Sequence, residues 1–126
     1  MEIKRIETFA LNKRSFIYYD LSRIRSNGEL SAFCQSAKEF IGSYKPASVY
    51  AIANVEGISF DSHTKTIALD FIEFNAPFVV HAAIINIDGM RKLLFNTILA
   101  QTTRENIKYF NSRQEAVTFL SNLSKI

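Results

Sequence analysis

Two apolar runs separated by a helical pattern dominate the order of hydrophobic and polar positions in this chain. Val49, Tyr50, Ala51, Ile52, Ala53 and Val55 lie together between polar residues, a run long enough for a buried strand and short for a helix. Phe78 to Ile87, FVVHAAIINI, is nearly continuous in apolar side chains, which predicts a second strand covered on both faces. Between them Gly57 permits a turn, Phe60 returns an apolar group inward, and Asp61-Ser62 offers capping oxygens just before a helix from Thr64 to Asn75. Ile67, Ala68, Phe71, Ile72 and Phe74 are expected on the inner side of that helix, Leu69 on the other, with Asn75-Ala76-Pro77 as its stop.

The flanking segments fall into the same alternation. Glu2 to Phe9 and Phe16 to Leu21 are β-favouring stretches joined by Leu11-Asn12-Lys13-Arg14, which predicts an antiparallel hairpin with the first strand at an edge and the second inside the sheet. Ser26 or Asn27 can cap a helix from Gly28 to Tyr44, whose Leu30, Phe33, Cys34, Ala37, Phe40 and Ile41 recur at spacings of three and four and should face the sheet; Pro46 follows as a stop. Asp88-Gly89 opens a helix, GMRKLLFNTILAQTT, in which Met90, Leu93, Leu94, Thr97 and Ile98 share a helical spacing. Asn106 to Phe110 reads as a brief strand. Ser112 then caps a last helix with Ala116, Phe119, Leu120 and Leu123 inward, and Ser112-Arg113-Gln114-Glu115 matches the S-x-x-E capping box.

The resulting order is β-β-α-β-α-β-α-β-α. Strands separated by helices favour parallel pairing through right-handed crossovers. The expected fold is therefore an α/β domain with a mixed, mostly parallel five-stranded sheet, the N-terminal hairpin strand antiparallel, and about four helices on both faces. At 126 residues, with 48% hydrophobic side chains, the chain suits one domain with one core, spanning residues 1–126. No run reaches the roughly 18 uncharged apolar residues of an integral membrane segment. The start, MEIKRIETFALNKR, carries charges where a signal peptide needs an apolar stretch, so the expected location is cytoplasmic. The lone Cys34 forms no internal disulfide, in keeping with a reducing compartment, and reads as a small helix-face residue rather than a reactive thiol.

The formal charge of +3 is uneven, because the first 25 residues hold six basic side chains against three acidic ones and the remainder is balanced. Such an asymmetry can attract nucleic acid, but no aromatic-interleaved basic motif accompanies it, so we read a solvated hairpin face and expect no DNA partner. Chemistry of other kinds finds little support. Asp20, Ser22, Asn54, Glu56, Asn86 and Asp88 lie at predicted carboxyl ends of strands, where Arg91 and Lys92 could help them border an anion or metal site. The same residue types serve as turn and cap residues, and the chain has no P-loop, G-x-G-x-x-G or G-x-S-x-G signature. His63 and His81 have no second histidine or cysteine at ligand spacing. We expect binding rather than catalysis, with no catalytic residue, cofactor or metal.

VYAIANVEGISFDSHTKTIAL resembles the strand-loop-helix signature of STAS domains, the family of bacterial anti-anti-sigma factors, in which a buried strand leads into a D-S-S-G-type helix start. More widely, the hairpin ending in YYDLS, Pro46 to Asn54, NAPFVVHAAIINIDGMRKLLFN and NIKYFNSRQEAVTFL occur in the order found in small bacterial SpoIIAA-like proteins, also described as STAS/SEC14-type domains. The resemblance covers nearly the whole chain, chiefly at apolar positions. It implies a regulatory protein-interaction module and makes Ser62, the serine after the aspartate, the position of the phosphoacceptor. His63 stands where the pattern has a second serine and Thr64 where it has glycine. Ser59 to Lys65 and Asp88 to Lys92, including Phe60, Asp61, Ser62, His63, Lys65, Asp88, Gly89, Arg91 and Lys92, are the expected partner-facing surface. Leu69, Phe74 and the apolar sides of the helix after Gly89 could add a patch for a partner helix or for a homodimer. The SEC14 side of the resemblance implies the alternative: an apolar ligand held between helices and sheet.

Overall fold

The fold is described from a computed structural model and covers residues 5–102 and 104–123. Strand β1 (Ile6–Leu11) and strand β2 (Arg14–Asp20) form the hairpin, with Asn12 and Lys13 both at positive φ in a two-residue turn of the primed kind that matches strand twist. The predicted start of the first strand at Glu2 lies outside the described residues. Helix α1 (Asn27–Ile41), strand β3 (Val49–Asn54), helix α2 (Ser62–Asn75), strand β4 (Val79–Ile85), helix α3 (Gly89–Leu99), strand β5 (Ile107–Phe110) and helix α4 (Arg113–Asn122) follow. The segment predicted to continue the third helix reaches Thr103, which also lies outside the described residues; α3 is capped at Ala100.

The strands line up in chain order, β1-β2-β3-β4-β5, with β1 antiparallel to β2 and every other pair parallel. That order decides where the helices go. Successive right-handed crossovers stepping in one direction place all their helices on the same face. Accordingly α1, α2 and α3 share a core with Ile17, Tyr19, Val49, Ala51, Val79 and Ile84. Helix α4, which follows the last strand and is free of that constraint, covers Phe16, Tyr50, Ile52, Ala83 and Ile85 on the other face. The alternation of strand side chains sends each successive residue of β3 to one core or the other.

The helix starts are local and read as expected. Ser26, Asp61, Asp88 and Ser112 each accept a backbone N–H of the following turn. The S-x-x-E pattern closes one residue early: Glu115 N–H donates to Ser112, but the Glu115 carboxylate accepts from the Asn111 N–H at 3.1 Å.

Several helix faces differ from the expected ones. Phe40 leaves the core for an exposed position against Tyr44, because it lies at the edge of the helix stripe whose centre, Ala37 and Ile41, is fully buried. On α2, Phe74 is 40% exposed beside Phe78 and the Lys38 ammonium, whereas Leu69 is half-buried against the core. The reason is that α2 has a neighbour on each flank, α1 and α3, so its buried arc is wider and rotated from what a single sheet contact would select. On α3 the inward residues are Phe95 and Ile98, and Met90, Leu93 and Leu94 point outward. In β4, a register shift after Val49 leaves Val80 unopposed and exposed, so this strand is not covered throughout.

Candidate functional site

Strand β3 ends at Asn54, and its chain bends at Gly57, whose φ of 68° lies in the left-handed region where a side chain is strained. Arg23, also at positive φ, donates its N–H to Glu56 O at 2.7 Å, and Ser59 N–H reaches Ile24 O at 3.0 Å, so the loop after β3 is stitched to the loop after β2. The loop delivers Asp61 to the N-cap of α2. One oxygen of its carboxylate accepts from the backbone N–H groups of His63 and Thr64 at 2.9 Å each and from the Thr64 hydroxyl at 3.1 Å. Asn27 of α1 donates to both carboxylate oxygens at 3.3 Å and accepts the Thr64 hydroxyl at 3.0 Å. The Thr64 N–H above all, then Asn27, the Thr64 hydroxyl and the His63 N–H, hold the Asp61 carboxyl below its ordinary range. Thr64 is buried, whereas Ser62, His63 and Lys65 are exposed.

The start of α3 lies against this tip. Asp88 caps it by accepting the Arg91 N–H at 2.9 Å and forms an ion pair with the Arg91 side chain. Arg91 Nε in turn donates to Ile58 O at 2.6 Å, tying α3 to the loop that leads into α2. Phe60 meets Phe95 edge-on, with centroids 6.4 Å apart. The structure therefore brings the two predicted segments, Ser59 to Lys65 and Asp88 to Lys92, together in one surface, with Phe60 and Arg91 half-buried at the seam. Lys92 lies over the Tyr109 ring at 4.7 Å. The outward side of α3 continues that surface with Met90 (73% exposed), Leu93 (68%) and Leu94 (42%), three apolar side chains at i, i+3 and i+4. The sequence signal for this stripe was present in the spacing of Met90, Leu93 and Leu94, on the helix after Gly89 whose apolar sides were expected to add a patch, but the spacing alone grouped them with Ile98, which is buried.

No protein-family model matches the chain, and a search of curated proteins finds no match either. Among solved structures the chain is similar to a STAS domain protein from Planctomyces limnophilus described as an anti-sigma-factor antagonist. The two share 13% sequence identity over 93% of this chain and 98% of that one, with a TM-score of 0.57. The chain has a STAS fold.

The remaining candidates take ordinary structural parts in that STAS fold. Asp20 accepts the N–H and hydroxyl of Ser22. Asn54 accepts from the Glu56 N–H and from Asn86 Nδ2, and donates to the Tyr18 hydroxyl. Asp20 is thus spent on its own turn and Asn54 ties the ends of β2, β3 and β4 together, and among the described residues no three His, Cys, Asp or Glu side chains gather to hold a metal. His81 sits half-buried against Phe119, and its Nε2 is buried without a hydrogen-bond partner among the described residues. Burial first, then Lys108 and Arg104, hold its pKa below the usual histidine value. Burial pushes the Cys34 thiol up to about 12, so it stays protonated. Among the described residues no helix is long and apolar enough to cross a membrane. Arg14, counted with the basic surface from sequence, is instead buried, and Arg5 turns inward to Asp20 O, Ser22 O and Glu29.

A cavity of about 100 Å³ lies between the sheet and α2, lined by Ala51, Ala53, Ala68, Phe71, Ile72 and Ala82 among others, with Arg104 at its wall. Sequence spacing showed the alanines but not that they face one another.

The caps carry a pH dependence with a definite sign. Asp61 and Asp88 both have folded pKa values below the ordinary carboxylate value, Asp88 chiefly through the Arg91 N–H. Their stabilisation is present above about pH 4 and is lost as pH falls through the folded values. The difference in melting temperature between the wild type and Asp61→Ala should be largest near neutrality and should shrink below about pH 4. Melts followed by circular dichroism at both ends of that range test this; a gap of constant size would mean that the cap acts without its charge.

Proposed function

We propose that the chain is a cytoplasmic, non-catalytic regulatory module that binds a protein partner through the tip of α2 and the outward side of α3. The observation that carries this reading is the exposed stripe Met90, Leu93 and Leu94, which begins in the helical turn that Arg91 ties to the loop before Ser62. A helix that buries Phe95 and Ile98 on one side and leaves three large apolar residues on the other has a face suited to a second surface. Lys65 and Lys92 beside it favour a partner whose apolar contact is rimmed by acidic groups.

Ser62 gives that surface a switch. It occupies the first helical position, exposed, directly after the N-cap. The N–H groups of His63 and Thr64 are already taken by Asp61, so a phosphate on Ser62 would meet a carboxylate instead of free helix donors. Phosphorylation would then loosen the cap and put negative charge on the contact surface. In affinity capture from cell extract with purified tagged protein, Leu93→Asp and Ser62→Asp should each cut recovery of the captured partner about tenfold, both variants keeping the wild-type circular dichroism spectrum. Unchanged recovery with Leu93→Asp would remove the surface; unchanged recovery with Ser62→Asp alone would remove only the switch. Sedimentation velocity on the same proteins separates a homodimer, whose mass would halve in Leu93→Asp, from a foreign partner.

A second reading, an apolar small-molecule site, is favoured by the cavity beneath α2. It lies on the sheet side of α2 and α3, away from the outward stripe of α3, and is compatible with partner binding.

A further inference from the structure

The cavity exists because small side chains meet across it: Ala51 and Ala53 from β3, Ala82 from β4 and Ala68 from α2. The larger groups around them, Tyr19, Phe71, Ile72 and Phe95, keep helix and sheet apart. Protein interiors are otherwise close-packed, so a void of about 100 Å³ forfeits contacts that an occupant would restore.

Most of the polar groups in its wall are already partnered. Tyr19 donates its hydroxyl to Asn75 Oδ1 at 3.0 Å, Asn75 Nδ2 donates to Phe71 O at 2.8 Å, and the Thr64 hydroxyl is bound to Asn27 and Asp61. Arg104 differs. Its Nη1 donates to Ile72 O at 3.1 Å, near the C-terminal end of α2, and its Nε to Asn106 Oδ1 at 2.8 Å. Among the described residues Nη2 makes no hydrogen bond, and no carboxylate forms an ion pair with this guanidinium. A half-buried cation in the wall of an apolar cavity, held in place by two neutral acceptors and paired with no carboxylate among the described residues, is suited to a carboxylate.

Building on the small-molecule reading above, we propose that the cavity takes a short aliphatic carboxylate, its chain among the four alanines and its head on the Nη2 edge of Arg104. A cavity of about 150 Å³ lined by aliphatic and aromatic groups holds a benzene ring, so the cavity of about 100 Å³ here takes roughly four carbons of the chain, with the carboxylate and the carbon next to it at its wall beside Arg104. Longer acyl chains would need α2 to move.

Hexanoate is the probe, and hexan-1-ol, with the same chain and no charge, is the control. Titration of protein labelled at alanine methyl groups should shift the resonances of Ala51, Ala53, Ala68 and Ala82, with hexanoate binding at least about tenfold tighter than hexanol. Arg104→Gln should lose about tenfold in hexanoate affinity and keep its hexanol affinity, which also shows that the variant is folded. Ala68→Leu, or Ala53→Val where the leucine is not tolerated, should abolish both by filling the space. Equal binding of hexanoate and hexanol to the wild type would overturn the assignment to Arg104 while leaving an apolar site standing. Shifts from neither compound at millimolar concentration would remove the carboxylate proposal and the small-molecule reading together.

Discussion

Arg14→Ala should loosen α4 from the sheet and lower stability by about 3 kcal/mol, a fall of roughly 10 °C in melting temperature. The side chain leaves the hairpin strand β2, crosses the Tyr50 ring at 4.9 Å and donates to the carbonyls of Leu120 and Leu123. The last four carbonyls of a helix have no partner within it, and a buried helix end without one is costly. Here the β1–β2 turn supplies partners twice, since Asn12 Nδ2 also donates to Ser121 O at 3.0 Å. A cation at that end also opposes the negative pole of the helix. Removing the guanidinium strands two carbonyls and leaves a gap beside Tyr50, whereas Arg14→Met keeps the stem and removes only the donors. If the hydrogen bonds carry the effect, Met should recover less than half of the loss. Amide exchange should then rise in α4 well before it rises in β3. A methionine variant as stable as the wild type would assign the whole effect to packing.

Nothing local marks Arg14 for that role. The bond it makes to Leu120 O spans 106 positions, and in the sequence the residue is one of six basic groups among the first 25 residues. The strands were legible because a buried strand writes itself as an unbroken apolar run, and the caps because a helix start needs an oxygen at one position. Strand order followed less directly, yet once four strands alternate with helices the right-handed crossover leaves few arrangements. Helix faces were legible only where one side of the helix is apolar. In α1 this worked except at Phe40. In α3 two apolar faces compete, Met90-Leu93-Leu94 and Phe95-Ile98, and only the tertiary neighbours choose between them. The candidate surface was legible for a related reason: its two segments follow the carboxyl ends of adjacent parallel strands, β3 and β4, and so must emerge side by side. The cavity was not, because it depends on which alanines of β3, β4 and α2 stand opposite one another.

The same latch sets the second large effect. Ile52→Ala, in the middle strand beneath α4, should cost about 4 kcal/mol, in the upper half of the range for such truncations, and roughly 15 °C in melting temperature. Ile52 is fully buried with Phe16, Tyr50, Ile85, Ala116 and Leu120, on the face that one helix alone covers. How much a truncation costs depends on whether the surroundings can settle into the space. Helix α4 is held at its far end by Arg14 and Asn12. At its near end Arg113 forms a two-pronged pair with Glu7 at 2.9 and 3.1 Å and lies 4.2 Å from the centre of the Tyr18 ring. A helix fixed at both ends cannot drop onto the sheet, so the void stays open. Loosening one end should let it settle: in an Arg14→Lys background, which keeps the charge but loses the fork, Ile52→Ala should cost about 0.5–1 kcal/mol less. Urea titrations of the four proteins give the coupling directly. Identical costs in the two backgrounds would mean that α4 is positioned by its contact with Phe16, Ile85 and Tyr50 and that its ends do not restrain it.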